Sequence, residues 1–400
     1  MLAEPIPRLL ILQMGFYTEY LEMQLDFDGL QTERKKQLLQ ISKLRGGRDV
    51  LVIAADLNKP NNTIDYSDIL PVQDQLANLK GQSIDVILET PGGFAEAAED
   101  IIALIRGRHQ HLGMIVPGWA KSAGTILAMA GDEILMGKGS ALGPIDAQIS
   151  HANGKRFSAH AFLEGLKQIK EEVAASGRLN PAYIPILQNI SPGEIQHAEN
   201  AQAFSERLVA DWLENYKFKN WTQRKTTGTA VTPADRRQRA VEIARKLSDQ
   251  SRWLTHGRSI RIPELENYLN LRITDYSQNP PLDEAVTRYY TLLRMTFETN
   301  MHKIFETATS QIYRFTGVQT VPPPQQLLPQ AKSFNLRIQC QKCQAPLLLQ
   351  ADFEPNLPLK PGNLPFPANN IAQCPACKTD INVANIRLQL EAQTGKKVVT

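Results

Sequence analysis

The residues best suited to chemistry are a serine that opens a helix and a Pro-Gly-Gly turn that ends a strand. The serine is Ser122, in Ala120-Lys121-Ser122-Ala123-Gly124-Thr125; the turn is Thr90-Pro91-Gly92-Gly93. A hydroxyl held at a helix start can act as a nucleophile, and acyl transfer also needs N–H donors aimed at the oxyanion that its attack creates. Glycine has no Cβ, so a substrate carbonyl can approach the backbone of Gly92 and Gly93 closely. The N–H of Gly93 and that of Ala123, just after the serine, are the expected donors. Ser-Ala-Gly by itself says little, because small residues at a tight strand–helix junction usually serve packing. Its partnership with a glycine turn about 30 residues upstream says more. One βαβ unit separates the two, which sets both turns side by side at one sheet edge.

Four cysteines form the second chemical feature. Cys340-Gln341-Lys342-Cys343 and Cys374-Pro375-Ala376-Cys377 are two Cys-x-x-Cys pairs with 30 residues, 344–373, between them. Four thiolates so spaced can close a tetrahedral Zn²⁺ site, each turn presenting two sulfurs to one ion. The competing reading is two redox motifs or unused thiols. The segment around them has only a small apolar set to stabilise it, which favours metal. A shell closed by four ligands is structural and leaves no place for a catalytic water.

The elements that must position these residues are legible as hydrophobic periods. Asp49–Ala55, Ile84–Glu89, Gly113–Val116 and Glu133–Met136 read as short buried strands. Helical patterns alternate with them at Ile64–Leu79, Phe94–Arg106 and Ser122–Ala130. That alternation predicts an α/β core of right-handed βαβ units. Leu9–Gln13 is a further candidate strand and Leu21–Leu44 a helix. Ala159–Ser176 is helical and ends at Gly177, and Ser191-Pro192-Gly193-Glu194 is a capping box that opens a helix running to Tyr216. Asp283–Thr309 carries apolar residues at helical spacing through Tyr290, Leu293, Phe297 and Ile304. The helix over Pro233–Asp249 is basic, but Asp235, Glu242 and Asp249 are interleaved. It reads as a solvated face or subunit contact rather than a nucleic-acid patch.

Composition bounds the partners. With 400 residues, 42% of them hydrophobic and 21% charged, the chain can bury the cores of two or three domains. A net charge of +3 gives no reason to expect nucleic acid or an anionic membrane as partner. Met1-Leu2-Ala3-Glu4-Pro5-Ile6-Pro7 sets an acid and two prolines where a signal peptide needs basic and apolar regions. No apolar run approaches the roughly 18 residues of a membrane span. The expectation is a cytoplasmic protein, with peripheral membrane association as the alternative. Val321-Pro322-Pro323-Pro324 marks a stiff linker before the cysteine module. The expected domains are a helical segment 1–48, a core 49–190, a helical extension 191–320, a linker 321–333 and a zinc module 334–400.

Three motifs together carry a family resemblance: Thr90-Pro91-Gly92-Gly93, Ala120-Lys121-Ser122-Ala123-Gly124-Thr125 and Leu142-Gly143-Pro144-Ile145-Asp146. They resemble the Clp/crotonase-fold serine peptidases, and among these the serine dehydrogenase proteinases related to signal peptide peptidase A. The resemblance covers about 49–190 well and extends more loosely to about 309. It implies a crotonase-like core, peptide-bond hydrolysis and homo-oligomeric assembly. The cysteine module resembles a zinc ribbon, a type that often binds a protein partner.

The general base stays open. The Clp proteases place a histidine in the strand that here reads Gly143-Pro144-Ile145-Asp146-Ala147-Gln148, and this chain has none there. The signal peptide peptidase A branch uses a lysine after that strand, a position Lys155 matches best, so Lys155 is the expected base of a Ser-Lys dyad; burial or a neighbouring charge can lower a lysine enough to act as a base. Lys121, Lys138, His151, His160 and His256 are the other candidates, and Asp146 could orient a base, bind a substrate N–H or cap a turn. Two other functions compete with the peptidase. An acyl-CoA hydratase or isomerase would use the same oxyanion hole but has no role for Ser122. A non-catalytic oligomeric scaffold would use the zinc ribbon to recruit partners.

Overall fold

In the computed structural model of the chain, the described residues are 15–150, 156–224, 227–316, 332–340, 342–394 and 396–399. They belong to two compact units, 1–316 and 317–400.

The first unit is built on a seven-stranded sheet. From one edge its order is Gln311–Phe315, Met301–Glu306, Asp49–Ala55, Ser83–Glu89, His111–Val116, Glu133–Met136 and Thr274–Asp275. The five strands from Asp49–Ala55 onward run parallel. Met301–Glu306 and Gln311–Phe315 add an antiparallel flank. Register explains why the parallel strands are apolar throughout. Val52, Ile87, Ile115 and Leu135 form one row across the sheet, and Leu51, Val86, Met114 and Ile134 form the row on the other face. Both rows are buried, because helices cover both faces. Each fully buried aliphatic side chain of this kind contributes about 1.5–3 kcal/mol.

The helices pack by the stripe that their sequence period supplies. Ala95–Arg106 buries Ala97, Ala98, Ile101, Ile102 and Ile105 against one face, with Glu96 in its first turn and Arg106 in its last. Helices Phe27–Leu44 and Pro280–Phe297 cover the other face through Leu38, Ile41, Val286, Tyr289 and Leu293. The expected ends at Gly177 and Ser191 are observed: Gly177 adopts φ +71 after Ala159–Ser176, and Ser191 and Glu194 form the reciprocal capping box of Pro192–Trp212.

Three expectations change. The helix expected over Leu21–Leu44 is two helices, Phe16–Glu22 and Phe27–Leu44. Gln24 at φ 49 breaks the run, and the Asp26 carboxylate starts the second helix by accepting from the Gly29 N–H. The helix expected over Asp283–Thr309 stops at Phe297, and Met301–Glu306 is a fully buried strand. Pairing with Asp49–Ala55 overrides the helical spacing, so Ile304 lies opposite Ala54 in the sheet. Its charges are buried as pairs: Glu306 with Arg34 at 3.0 Å, and Lys303 with Asp68 at 2.7 Å. The segment Gly143–Ala147 is irregular and lies between the short strands Ala141–Leu142 and Gln148–Ser150. Leu9–Gln13 lies outside the described residues. Several charges of the basic helix, Pro233–Ser248, are paired locally: Asp235 with Arg224, Arg237 with Asp211 and Glu214, Arg239 and Lys246 with Glu242.

In the second unit, Ser333–Gln339 and Pro346–Asp352 form an antiparallel hairpin, and Ile371–Gln373 and Asp380–Asn382 a shorter one. Leu336, Ile338, Leu347, Leu349, Phe366 and Val383 lie in their shared core. Within the proline-rich residues 355–367, between the cysteine pairs, the one strand is the two-residue Leu364–Pro365.

Candidate active site and cysteine cluster

Parallel strands Ser83–Glu89 and His111–Val116 end at the same sheet edge and deliver the two turns there, as open α/β sheets do for their ligands. The turns are knitted together. The Thr90 N–H donates to the Trp119 carbonyl at 2.8 Å, and the Lys121 N–H donates to the Thr90 carbonyl at 3.0 Å. Gly92 lies against the serine: a Cβ on it would stand 2.6 Å from Ser122 Cβ. Ser122 itself has φ 51 and ψ −119, outside the conformations that non-glycine residues ordinarily take. Strain of this kind clusters at functional sites because it sets a side chain where relaxed backbone would not. The helix Ala123–Met129 follows at once, so the Ala123 N–H is one of the first-turn donors without an intrahelical acceptor.

Gly93 is held on the other side by Ile64. The Ile64 N–H donates to the Gly92 carbonyl at 2.8 Å and the Phe94 N–H donates to the Ile64 carbonyl at 2.9 Å, while Gly93 itself is exposed. A Cβ at Gly93 would lie 2.1 Å from the Ile64 carbonyl oxygen, a backbone atom that cannot swing away. Gly93→Ala is therefore expected to displace this loop and to destabilise the fold by about 2–3 kcal/mol. A fall in melting temperature, measured calorimetrically, checks this; an unchanged melt would show that the loop yields freely.

Lys121 points away from the serine. Its ammonium donates to the carbonyls of Leu142 at 3.1 Å and Arg258 at 3.0 Å and to Ser259 Oγ at 2.9 Å. Burial, with the Arg261 charge adding to it, lowers this ammonium to about 8. It clamps the serine turn to the segment 256–260, which also bridges Leu142 through Ile260 with paired backbone bonds at 2.9 Å. Thr125 ties the same region together, accepting from the Gly143 N–H at 2.8 Å and donating to the Ala120 carbonyl at 2.8 Å.

That segment carries His256. Its Nδ1 lies 2.7 Å from Asp146 Oδ1, and the Asp146 side chain is fully buried. Gln148 Nε2 donates to the other carboxylate oxygen, Asp146 Oδ2, at 2.8 Å. Asp146 and His256 are 110 positions apart in sequence, so only the tertiary fold joins them. The other candidate bases are placed elsewhere or not described. Lys138 is exposed and faces Asp275 and Asp283. His160 lines a separate cavity with Glu206 and Arg245. Lys155 and His151 lie outside the described residues. A cavity of about 1060 Å³ beside Glu133, at the start of a parallel strand and so at the opposite end of the sheet, contains none of the site residues.

Three further residues, to which the motifs by themselves assign no role, shape this edge: Glu89, Thr90 and Thr125. The available signal was a glutamate closing an otherwise apolar strand, Val86-Ile87-Leu88-Glu89. A charge there must have partners or stay neutral.

In the second unit, each hairpin tip carries one cysteine pair, and the two tips have the same turn. The Gln344 N–H donates to the Cys340 carbonyl at 2.8 Å, and the Lys378 N–H to the Cys374 carbonyl at 2.9 Å. Both Gln344 and Lys378 have φ 61. All four Sγ atoms lie within 4.8 Å of one another. Two of the separations are 3.5 Å, Cys340 to Cys377, and 3.7 Å, Cys343 to Cys374. A tetrahedron with metal–sulfur bonds of about 2.3 Å has sulfurs about 3.8 Å apart, whereas a disulfide brings them to about 2.05 Å. The cysteines are free and their arrangement fits one tetrahedral metal ion.

The profile of the ClpP-like SDH-type serine proteinases matches residues 9–231. The uncharacterized protein MJ1495 of Methanocaldococcus jannaschii is 32% identical over 146 residues, which span 36% of this chain and 45% of that protein. The uncharacterized protein MJ0137 of the same organism is 26% identical over 226 residues, 55% of this chain and 74% of its own length. Among solved structures, a mutant of the 1510-N membrane-bound stomatin-specific protease aligns with a TM-score of 0.30 at 14% identity, covering 57% of this chain and 79% of that one. ClpP1 from Listeria monocytogenes aligns with a TM-score of 0.31 at 14% identity, over 61% of this chain and 96% of that one. No helix among the described residues is long and apolar enough to cross a membrane. The family profile spans more than half of the chain, and the chain belongs to the ClpP-like SDH-type serine proteinases.

Proposed function

We propose that the protein hydrolyses peptide bonds in peptide or protein substrates, with Ser122 as the nucleophile. The N–H groups of Gly93 and Ala123, on the loop shaped by Gly92, hold the oxyanion. His256, oriented by the buried carboxylate of Asp146, takes the serine proton and returns it to the leaving amine. The observation that carries this reading is the 2.7 Å contact between His256 and Asp146, on a segment clamped to the serine turn by Lys121. Lys155 is the competing base, on the strength of the family resemblance.

The remaining assignments go with this proposal. Residues 49–190 form the catalytic core and 191–320 complete it. Subunits assemble as a homo-oligomer. Cys340, Cys343, Cys374 and Cys377 hold a structural Zn²⁺ in a ribbon that can take a protein partner.

The test is the rate of labelling by a fluorophosphonate probe, compared for the wild type, His256→Ala and Lys155→Ala. The expected result is a rate lower by about 10²–10⁴-fold in His256→Ala and little change in Lys155→Ala. The reverse pattern would make Lys155 the base. No labelling of the wild type from about pH 6 to 9, a range that brackets histidine and lysine bases, would replace the peptidase by a non-catalytic scaffold.

A further inference from the structure

The geometry points to Glu89 as a positioning residue for this reaction: its buried carboxylate grips the backbone of the turn that delivers Ser122. The inference rests on Ser122 being the nucleophile.

Glu89 is completely buried directly beneath Pro117-Gly118-Trp119. Its Oε2 accepts from the Trp119 N–H at 2.7 Å, and its Oε1 accepts from the Tyr290 hydroxyl at 3.1 Å. The fit is tight enough to dictate Gly118, since a Cβ there would lie 2.6 Å from Glu89 Oε2 and 2.2 Å from the Tyr290 hydroxyl. The next residue, Thr90, grips the same turn through backbone, its N–H on the Trp119 carbonyl and its own carbonyl under the Lys121 N–H. Glu89 and Thr90 therefore hold three backbone groups of this turn, Trp119 N–H, Trp119 C=O and Lys121 N–H. The residue after Lys121 is the strained Ser122. A φ of 51 persists only where the surroundings over-determine it, and the Glu89 side chain supplies one of these constraints.

The charged and titratable groups facing Glu89 come from every element packed on it. Helix Pro280–Phe297 presents Tyr290 and Arg294, the segment after Asp49–Ala55 presents Asp56, and Tyr276 adds a further hydroxyl. Arg294 pairs with Asp56 through Nη2, at 3.3 Å, while its buried Nη1 has no hydrogen-bond partner, so it donates no hydrogen bond to Glu89. Burial without a direct ion pair pushes the Glu89 carboxyl up to about 7. The sign follows from the charge: above neutrality the group is ionised and accepts a strong charge-assisted bond from Trp119, and below it the neutral carboxyl accepts a weaker one. The hold on the turn weakens as pH falls through 7.

The test compares wild type, Glu89→Gln and Glu89→Ala. Glutamine preserves the shape, with its carbonyl on the Trp119 N–H and its amide on Tyr290, but cannot titrate. Labelling of Glu89→Gln by the fluorophosphonate at pH 8 is expected within about threefold of wild type, and that of Glu89→Ala at least about tenfold slower, since a buried N–H loses its acceptor. Glu89→Gln removes the Glu89 titration, so the extra loss of rate that wild type shows as its carboxyl becomes neutral, at most about threefold, should be absent from this variant. Glu89→Ala labelling as fast as wild type would overturn the assignment. Hydrogen exchange of residues 117–121 reads the same hold without chemistry. Faster exchange in Glu89→Ala, restored by Glu89→Gln, supports it, and unchanged exchange overturns it. If the wild type is not labelled at all, the nucleophile reading fails, and exchange alone decides whether Glu89 holds the turn.

Discussion

Ser122→Ala is expected to abolish fluorophosphonate labelling and to lower peptide hydrolysis by about 10⁴–10⁶-fold, leaving only the small residual rate that binding and an oxyanion hole supply. The fold should survive. The Ser122 side chain makes no capping hydrogen bond to its helix, and alanine keeps the same Cβ, so neither the packing against Gly92 nor the backbone strain changes. A melting temperature within about 1 °C of wild type should accompany the loss, because no buried partner is left unsatisfied. That separation distinguishes a nucleophile from a packing residue. Thr125 offers the contrast: its hydroxyl joins Ala120 to Gly143 and is fully buried, so removing it would cost stability. Hydrolysis retained in Ser122→Ala would show that the bond is broken by some other group.

Removing the metal is expected to unfold the second unit while the first melts as before. A structural Zn²⁺ contributes about 10–16 kcal/mol of apparent binding free energy at neutral pH. The apolar core it supports is small, little more than the strand residues Leu336, Ile338, Leu347 and Leu349 with Phe353, Phe366 and Val383. A module of this size does not hold its shape on hydrophobic burial alone. Purified protein should contain one zinc per chain by atomic emission. A strong chelator, or Cys374→Ser, should release it and speed hydrogen exchange across residues 333–382, with exchange in the first unit unchanged. Four reactive thiols with no bound metal, or two disulfides, would overturn the site.

Much of the candidate site's edge was legible because local physics determines it. Strands buried on both faces read as unbroken apolar runs, and Ser83–Glu89 and His111–Val116 stand where those runs lie. Glycine marks the closest approaches, and the space denied to a Cβ at Gly92 and Gly93 is the structural counterpart of Pro91-Gly92-Gly93. Caps depend on a few neighbouring atoms, so Ser191 and Gly177 were readable too. The spacing of two Cys-x-x-Cys turns likewise pointed to one cluster of four sulfurs.

The rest was decided by tertiary structure, for two physical reasons. Edge pairing is non-local: Met301–Glu306 is a strand because Asp49–Ala55 offers it a ladder, although its own residues continue a helical period. Electrostatic partners are non-local as well. Nothing near Asp146 in sequence announces His256, nothing near Arg34 announces Glu306, and nothing near Glu89 announces Tyr290 and the Trp119 N–H. The sequence alone determined which residues could do chemistry, because turn and period are local properties. Only the folded chain decided which charges face one another, because burial makes that choice and brings together positions up to hundreds of residues apart.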